Sequence, residues 1–177
     1  MSKTESLHHQ LCVAGAEWLR KQKRNYQTCP KKPCWGPCQK SGCCNRFKYV
    51  AVELCTWSGE LTDVWALGNY NDSTIIEVKT SHSDFLADKK KWCRSKEFEE
   101  KGYCAGSYRW YLCPKSIISK DELPDGWGLL YWDGNKVYPV VSPSRKFDNT
   151  SWADLGNLTS ILRREEFPER IYNYRNK

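Results

Sequence analysis

The chain has 177 residues, which is enough for one domain with a single sizeable hydrophobic core. Its 28 lysines and arginines outnumber its 21 aspartates and glutamates, and the net charge of +7 favours an anionic partner. No apolar run reaches the roughly 20 residues of a membrane-spanning helix, and residues 1–6 lack the basic-then-apolar layout of a secretion signal. The composition predicts a cytoplasmic protein without a membrane segment.

The first predicted element is an amphipathic helix over residues 4–24. Its apolar face recurs at helical spacing and comprises Leu7, Leu11, Ala14 and Trp18. The basic run 20–24 suits the carboxyl end of a helix. We expect His8 and His9, near the start of the helix, to be exposed. Glu17 lies beside the apolar face, where a solvated position is the simplest interpretation.

Residues 29–44 follow as a segment rich in proline, glycine and lysine, with no helical or strand period. The segment holds five of the ten cysteines: Cys29, Cys34, Cys38, Cys43 and Cys44. It cannot build a core of its own, and clustered thiols in a reducing compartment favour a metal over disulfides. We expect a structural Zn²⁺ held by four thiolates, with Cys43 and Cys44 as alternatives for the fourth ligand. Free or redox-active thiols are the alternative to a metal.

The other cysteines are scattered through periodic segments, where cysteine usually behaves as a small apolar side chain. They are Cys12, Cys55, Cys93, Cys104 and Cys113. We therefore expect them to be buried in the core.

Three short apolar segments then predict consecutive strands. The first covers residues 47–54, the second begins at Thr62-Asp63 and ends at 67, and the third covers 75–79. The residues 68–72 between the second and third are glycine, asparagine, tyrosine and aspartate, which is typical of a hairpin loop. The two later strands are therefore expected to be antiparallel neighbours.

Asp63, Glu77 and Lys79 are the candidate catalytic residues. Because side chains alternate along a strand, Glu77 and Lys79 share one face while Ile76 and Val78 point into the core. Two carboxylates on neighbouring strands suit Mg²⁺ or Mn²⁺, with the Val78 carbonyl as a further ligand. Such a cation activates water and neutralises phosphate charge, while Lys79 would orient the water or bind the scissile phosphate. The alternative is a surface strand with an ordinary glutamate–lysine pair.

A second helix is predicted over residues 83–99, after a run of N-capping residues. Its inward side chains would be Phe85, Leu86, Trp92 and Cys93. The helix also carries the basic run Lys89, Lys90 and Lys91. We expect these lysines, with His82 and with Lys31 and Lys32 of the cysteine-rich segment, to contact the phosphates of DNA without reading its sequence. For His82, an exposed position at the helix start is the alternative.

The remaining predicted elements are a strand over 108–113, a hairpin of strands 127–132 and 136–140, and a helix over 151–164. The apolar face of this last helix would consist of Trp152, Leu155, Leu158 and Leu162. The composition changes near residue 142, which divides the chain into residues 1–142 and a C-terminal extension, 143–177. The basic and aromatic tail 170–177 suits nucleic acid, or is simply a solvated terminus.

The order helix, three strands, helix, strand, with carboxylates on the second and third strands, resembles the PD-(D/E)xK nuclease superfamily. The closest similarity is to its MmcB-like branch of DNA-repair proteins, through Asp63, the run Glu77-Val78-Lys79-Thr80-Ser81, and the spaced residues Asp84-Phe85, Asp88 and Trp92. It covers roughly residues 49–140. The resemblance implies an α/β (α+β) fold with an αβββαβ core: a mixed sheet flanked by helices, with the cysteine-rich loop inserted after the first helix.

The resemblance also implies roles for two further acids. Nucleases of this superfamily often supply an acidic ligand from the first helix, which makes Glu17 a candidate. Glu53 matches a glutamate of the MmcB-like pattern and is either a further catalytic acid or an edge-strand charge. Some superfamily members carry an iron–sulfur cluster beside the nuclease core, which is a third possibility for the clustered cysteines. Glu60, Leu61 and Thr62 depart from the basic and small residues usual before the aspartate.

The leading functional prediction is a divalent-metal-dependent deoxyribonuclease that acts in DNA repair or processing. One alternative is a nucleic-acid-binding module that keeps the fold without catalysis. Another is a zinc-stabilised interaction or inhibitor protein. The intact set of Asp63, Glu77 and Lys79 favours the enzyme, because a decayed site would be expected to have lost one of them.

Overall fold

A computed structural model describes residues 5–22, 46–55, 60–69, 72–148 and 150–165. Its helices are α1 (Leu7–Lys21), α2 (His82–Asp88), α3 (Lys96–Glu100) and α4 (Ser151–Arg164). Its strands are β1 (Phe47–Cys55), β2 (Leu61–Gly68), β3 (Ser73–Val78), β4 (Tyr108–Pro114), β5 (Gly128–Trp132) and β6 (Val137–Val141). None of the described helices is both long and apolar enough to cross a bilayer.

The six strands form one mixed sheet whose spatial order follows the chain order, β1 to β6. The first three strands are antiparallel neighbours, β3, β4 and β5 run parallel, and β6 returns antiparallel to β5. The parallel step from β3 to β4 needs a crossover, which α2 and α3 provide. The α+β class with a mixed sheet and flanking helices is thereby confirmed. The cysteine-rich segment 29–44 lies outside the described residues.

Both faces of the sheet are covered, and β3 is buried along its whole length. One hydrophobic cluster joins α1 to the sheet through Leu11, Cys12, Ala16, Leu19, Val64, Ile76, Val78 and Leu112. The cluster on the opposite face joins α2 and α4 to the sheet through Trp65, Ile75, Phe85, Tyr111, Leu129 and Ala153. Helix α1 begins at Leu7 because the Ser6 hydroxyl accepts a hydrogen bond from the His9 amide at 3.2 Å.

The single helix predicted over 83–99 is wrong, because the chain breaks it after Asp88. A short 3₁₀ turn, Trp92–Arg94, follows, and α3 restarts with Ser95 as its N-cap. Asp88 is fully buried and forms ion pairs with the side chains of Lys79 and Arg94. These ion pairs hold Asp88 at the end of α2. Leu86 and Trp92, which were expected to face inward, are exposed as a result.

The bounds of α4 are right, but only Leu158 of its predicted apolar face packs against the core. Trp152 is 73% exposed, and Leu155 and Leu162 are exposed as well. The buried face instead carries Ala153, Asp154 and Asn157. Among the scattered cysteines, Cys12, Cys104 and Cys113 are buried as expected, whereas Cys55 is exposed and Cys93 is half-buried.

Asp154 explains which face of α4 turns inward. Its carboxylate accepts hydrogen bonds from Trp65 Nε1 at 2.8 Å, Ser73 Oγ at 2.5 Å and the Gly106 amide at 3.1 Å. All these groups are buried, so the carboxylate satisfies donors that no water reaches. The hydrogen bonds of Asp154 therefore decide which face of α4 packs on the sheet, although Trp152 and Leu155 stay exposed as a result.

Asp154→Ala should lower the free energy of unfolding by about 3 kcal/mol, because it leaves several buried donors without an acceptor. Urea denaturation followed by circular dichroism measures the difference. Asp148→Ala is the matched control, since Asp148 is exposed and close by in the chain. A loss no larger for Asp154→Ala than for Asp148→Ala would contradict the assigned role.

Candidate active site

Glu53, Asp63 and Glu77 lie at one level of three neighbouring strands. Between β1 and β2, the pairs Val52–Val64 and Leu54–Thr62 bracket Glu53 and Asp63. Between β2 and β3, the pairing of Val64 with Ile76 makes Asp63 and Glu77 the next residues along. The strand register therefore aligns three carboxylates, which we call the acidic row, across one end of the antiparallel part of the sheet.

Asp63 is largely buried and holds the end of β3. Its Oδ2 accepts a hydrogen bond from the Val78 amide at 2.7 Å, just past the last β2–β3 pair. Its Oδ1 lies 3.3 Å from Nε2 of His8. Burial raises the pKa of Asp63 above its ordinary value, although the Val78 amide and the charges of His8 and Lys79 work against the shift. The nearby hydrogen bond and positive charges therefore do not fully offset the cost of burying the ionised carboxylate.

Glu77 is the most buried member of the acidic row, with 2% of its surface exposed. Its Oε2 lies 3.1 Å from Arg94 Nη2 and 3.6 Å from Lys79 Nζ. Its Oε1 is buried and has no hydrogen-bond partner among the described residues. Burial raises the pKa of Glu77, and the Asp63 carboxylate beside it adds to the shift against the opposing charge of Arg94. A buried carboxylate oxygen without a donor is costly unless a cation or a donor reaches it.

Lys79 is also buried, two residues after Glu77 on the same face. Its Nζ lies 3.1 Å from Asp88 Oδ1 and 3.6 Å from Glu77 Oε2. Its backbone amide donates to the Leu112 carbonyl at 2.9 Å, which anchors the residue to β4. The alternative of an ordinary surface strand is therefore wrong, because helices on both faces of the sheet exclude water from β3.

Asp88 and Arg94 connect this site to the broken helix. Asp88 accepts from Tyr111 Oη at 2.8 Å and Arg94 Nε at 2.9 Å, and it also pairs with Lys91 Nζ at 2.8 Å. Arg94 reaches onward to Glu60 at 2.9 Å. No role for either residue in the site was predicted. The spacing does carry a signal for Asp88, because it lies three residues after the buried Phe85 and therefore shares its helix face.

Asp88→Asn should lower the free energy of unfolding by about 3 kcal/mol near pH 7, because removing one partner leaves buried cations uncompensated. Burial opposes ionisation, but the charge and hydrogen bond of Arg94, with Lys91 and Lys79, hold the pKa of Asp88 well below its usual range. The stabilisation is thus present above the unfolded-state pKa of about 3.9 and is lost as the pH falls through lower values. Denaturation of wild type and variant from pH 7 to pH 3 should show the difference shrinking, and a constant difference would contradict this origin.

Two further predicted acids lie in different surroundings. Glu53 is half exposed at 48%, and its oxygens lie 3.4 Å from His9 Nδ1 and 3.7 Å from His8 Nδ1. Its backbone adopts a φ of 51°, an unusual value for a residue other than glycine. Glu17 is exposed and pairs loosely with Lys21 at 3.9 Å. Nine residues of helix, about 13 Å, separate it from His8, so the structure does not bring it to the acidic row.

The predicted DNA-contacting residues near α2 lie on the surface around the site. His82 Nε2 lies 2.5 Å from Glu122 Oε1, and Lys89 donates to the Glu122 carbonyl at 2.8 Å. Lys90 is exposed, and Lys91 reaches Asp88 from an exposed position. Lys31, Lys32 and the five clustered cysteines lie outside the described residues.

His8 is the site residue whose position was predicted wrongly. Its side chain is only partly exposed and lies against Asp63, Glu53 and Cys12, whose Sγ lies 3.6 Å from His8 Nδ1. A signal exists in the sequence, since His8 and Cys12 are four residues apart and Cys12 lies on the buried face of α1. When it is protonated, the His8 side chain therefore places a positive charge next to Asp63 and Glu53.

The donor set around Asp63 and Glu77 fits Mg²⁺ or Mn²⁺. Such cations take carboxylate and carbonyl oxygens, and the orphaned Oε1 of Glu77 is a buried oxygen that lacks a partner among the described residues. A divalent cation would also offset the burial that raises the pKa of both carboxyls. The residues therefore fit the metal that the sequence predicts.

No protein-family model matches this chain, and no curated protein matches it. Its structure is similar to that of a protein of unknown function from Silicibacter pomeroyi, with a TM-score of 0.48 and 21% sequence identity. The similarity covers 71% of this chain and 84% of the other.

Proposed function

We propose that this protein is a divalent-metal-dependent deoxyribonuclease of the PD-(D/E)xK type, related to the MmcB-like branch, that cleaves phosphodiester bonds in DNA processing or repair. The observation that carries the proposal is the largely buried Asp63 beside the buried Glu77, whose Oε1 has no hydrogen-bond partner among the described residues, with the buried Lys79 two residues later. A carboxylate pair and a lysine at this spacing are costly to bury, and a role in the fold alone does not explain them.

In this proposal Asp63, Glu77 and the Val78 carbonyl hold Mg²⁺ or Mn²⁺. When bound, the cation lowers the pKa of water and neutralises charge that develops on the phosphate. Asp63 is preorganised for this role because the Val78 amide fixes one of its oxygens. Arg94 and Lys79 orient Glu77 through its other oxygen, Oε2, which leaves Oε1 for the cation.

Lys79 serves as the positive group of the site. Its ammonium lies between Glu77 and Asp88, so the fold holds it in the direction of the acidic row. From there it stabilises negative charge on the scissile phosphate or holds the attacking water. Asp88 positions Lys79, and Tyr111 and Arg94 position Asp88 in turn. Such a chain of hydrogen bonds preorganises a charged site and avoids reorganisation during the reaction.

DNA fits the proposal because of the net charge of +7 and the exposed lysines at the carboxyl end of α2, beside the site. Lys89 and Lys90 come directly after α2, the helix that follows β3 and Lys79. Phosphates held along α2 would therefore pass close to the acidic row. These lysines provide affinity without selecting a base sequence.

The direct test is incubation of the purified chain with labelled single-stranded, duplex and branched DNA. We expect cleavage with Mg²⁺ or Mn²⁺ and none with chelator. DNA that is bound but not cleaved in any of these conditions would reject the nuclease and leave the non-catalytic binding module in its place. Absence of binding as well would favour the interaction or inhibitor protein.

For the cysteine-rich segment we propose a structural Zn²⁺ in the same protein. Metal analysis after gel filtration should find about one tightly bound zinc per chain in a colourless sample. Cys34→Ser should lower stability by several kcal/mol, because binding of a structural metal is coupled to folding. A brown protein would indicate an iron–sulfur cluster, and a folded protein free of metal would leave the cysteines as free thiols.

A further inference from the structure

We propose that His8, Cys12 and Asp63 form a second cation site, which takes a Zn²⁺-like divalent ion beside the Asp63–Glu77 pair. One ligand atom from each of the three residues lies within 4.8 Å of the other two. Imidazole nitrogen, thiolate sulfur and carboxylate oxygen are the donors that zinc takes from proteins, whereas Mg²⁺ prefers oxygen alone. The chemistry of the donors thus separates this site from the oxygen-lined pair beside it.

Helix α1 supplies two of the ligands from a single face, because His8 and Cys12 are four residues apart. His8 Nδ1 lies 3.6 Å from Cys12 Sγ, and His8 Nε2 lies 3.3 Å from Asp63 Oδ1. These two contacts use different ring nitrogens, and an ion binds only one of them, so the ring has to turn to bring that nitrogen to the centre shared with Cys12 Sγ and Asp63 Oδ1. The side chain of His8 is 36% exposed and has room to turn one nitrogen toward the common centre.

Glu53 supports the site from a second direction. A histidine that binds a metal through one ring nitrogen usually donates the other N–H to a carboxylate. Glu53 Oε1 lies 3.7 Å from His8 Nδ1, so this carboxylate is the neighbour toward which the free ring N–H of a metal-bound His8 can turn. The left-handed backbone of Glu53 is a costly conformation that persists where the surroundings hold it, often at functional sites.

The surroundings of Cys12 favour a cation over an anion. Burial, with the nearby carboxylates of Asp63, Glu53 and Glu77, raises the pKa of the Cys12 thiol to about 12. The same negative field attracts a divalent ion, and a coordinated thiol gives up its proton to solvent when the sulfur–metal bond forms. His8 and Glu53 are partly exposed, so the ion enters from their side of the site.

The second site has a regulatory consequence, because Asp63 belongs to both ligand sets. An ion held by His8, Cys12 and Asp63 competes for the carboxylate that the Mg²⁺ site requires, so Zn²⁺ should inhibit Mg²⁺-dependent cleavage. This consequence rests on the proposed nuclease function, whereas binding of the ion itself does not.

Co²⁺ is the probe of choice, because its bond to a thiolate gives a near-ultraviolet charge-transfer band. The intact chain is loaded with one equivalent of Zn²⁺ and then titrated with Co²⁺, and the spectra of wild type and Cys12→Ser are subtracted. We expect a thiolate band in wild type that Cys12→Ser lacks. We also expect at least tenfold weaker Co²⁺ binding in His8→Ala and Asp63→Asn. Cys113→Ser and His9→Ala are the matched controls, since neither residue belongs to the ligand set, and both should resemble wild type.

Identical Co²⁺ spectra for wild type and Cys12→Ser would overturn the second site, as would equal losses in His8→Ala and His9→Ala. If Cys12→Ser fails to fold, His8→Ala decides, because it alters a partly exposed position. A chain that shows the Cys12 band but cleaves no DNA would keep the second site and reject the nuclease. A chain that cleaves DNA but shows no such band would do the reverse.

Discussion

Asp63→Asn and Glu77→Gln should each slow metal-dependent DNA cleavage by roughly a thousandfold, because about 4 kcal/mol of transition-state charge stabilisation is lost with a metal ligand. Both changes keep the shape of the side chain. The asparagine oxygen still accepts the hydrogen bond that the Val78 amide donates to Asp63, so β3 stays in place. Lys79→Ala should reduce cleavage comparably if its ammonium acts on the phosphate.

The rate should be measured with single-turnover kinetics, and DNA affinity with fluorescence anisotropy on the same samples. Affinity should change little, because the exposed lysines that hold phosphates are untouched. Glu17→Gln is the matched control, since it makes the same chemical change on an exposed acid that is 64% accessible and remote from the acidic row. Cleavage by Asp63→Asn at the rate of Glu17→Gln would reject the assigned metal site.

DNA binding should weaken steeply between low and physiological salt and vary little with base sequence. Each phosphate that the protein neutralises on duplex DNA contributes roughly −0.9 to the slope of log affinity against log salt concentration. Lys90→Glu should flatten that slope by about one unit, because Lys90 is exposed on the segment that leads from α2 past the site. Lys89→Glu should act in the same direction but also breaks the contact with the Glu122 carbonyl.

Lys136→Glu is the control for the salt experiment. Lys136 is exposed in the β5–β6 hairpin at the far edge of the sheet, so the change in net charge is the same while the location differs. An equal effect of Lys90→Glu and Lys136→Glu would mean that only the overall charge matters. Binding that does not respond to salt, or that is tight for one sequence only, would place recognition on another surface.

The sequence predicts the secondary structure best where the apolar residues keep a single helical or strand spacing along the whole element. The bounds of α4 and the positions of all six strands follow from alternation, turn residues and capping alone. Prediction fails where a buried polar side chain overrides the apolar pattern. Asp88 ends α2 and Asp154 sets the inward face of α4, because each accepts hydrogen bonds from other elements: Tyr111 donates to Asp88, and Trp65 and Ser73 donate to Asp154.

The candidate site divides in the same way. Asp63, Glu77 and Lys79 are found from the sequence, since they lie within seventeen residues and their relation depends only on strand alternation. Arg94 and His8 are not, because Arg94 reaches the acidic row from the 3₁₀ turn after α2 and His8 reaches it from α1. Their positions depend on how α1 and the α2–α3 crossover pack on the sheet, and no local period encodes that packing.

The register of the acidic row sets which length changes the chain tolerates. The β2–β3 hairpin is fastened by a hydrogen bond from the Gly68 amide to the Asp72 carbonyl at 2.7 Å and by the Arg46–Asp72 ion pair. An inserted residue that slipped β2 by one position would turn Asp63 to the opposite face of the sheet, because side chains alternate. An insertion in the β5–β6 hairpin leaves all three carboxylates where they are. Loop-length variation among natural variants of this chain should therefore accumulate at the β5–β6 edge and be purged from the β2–β3 turn.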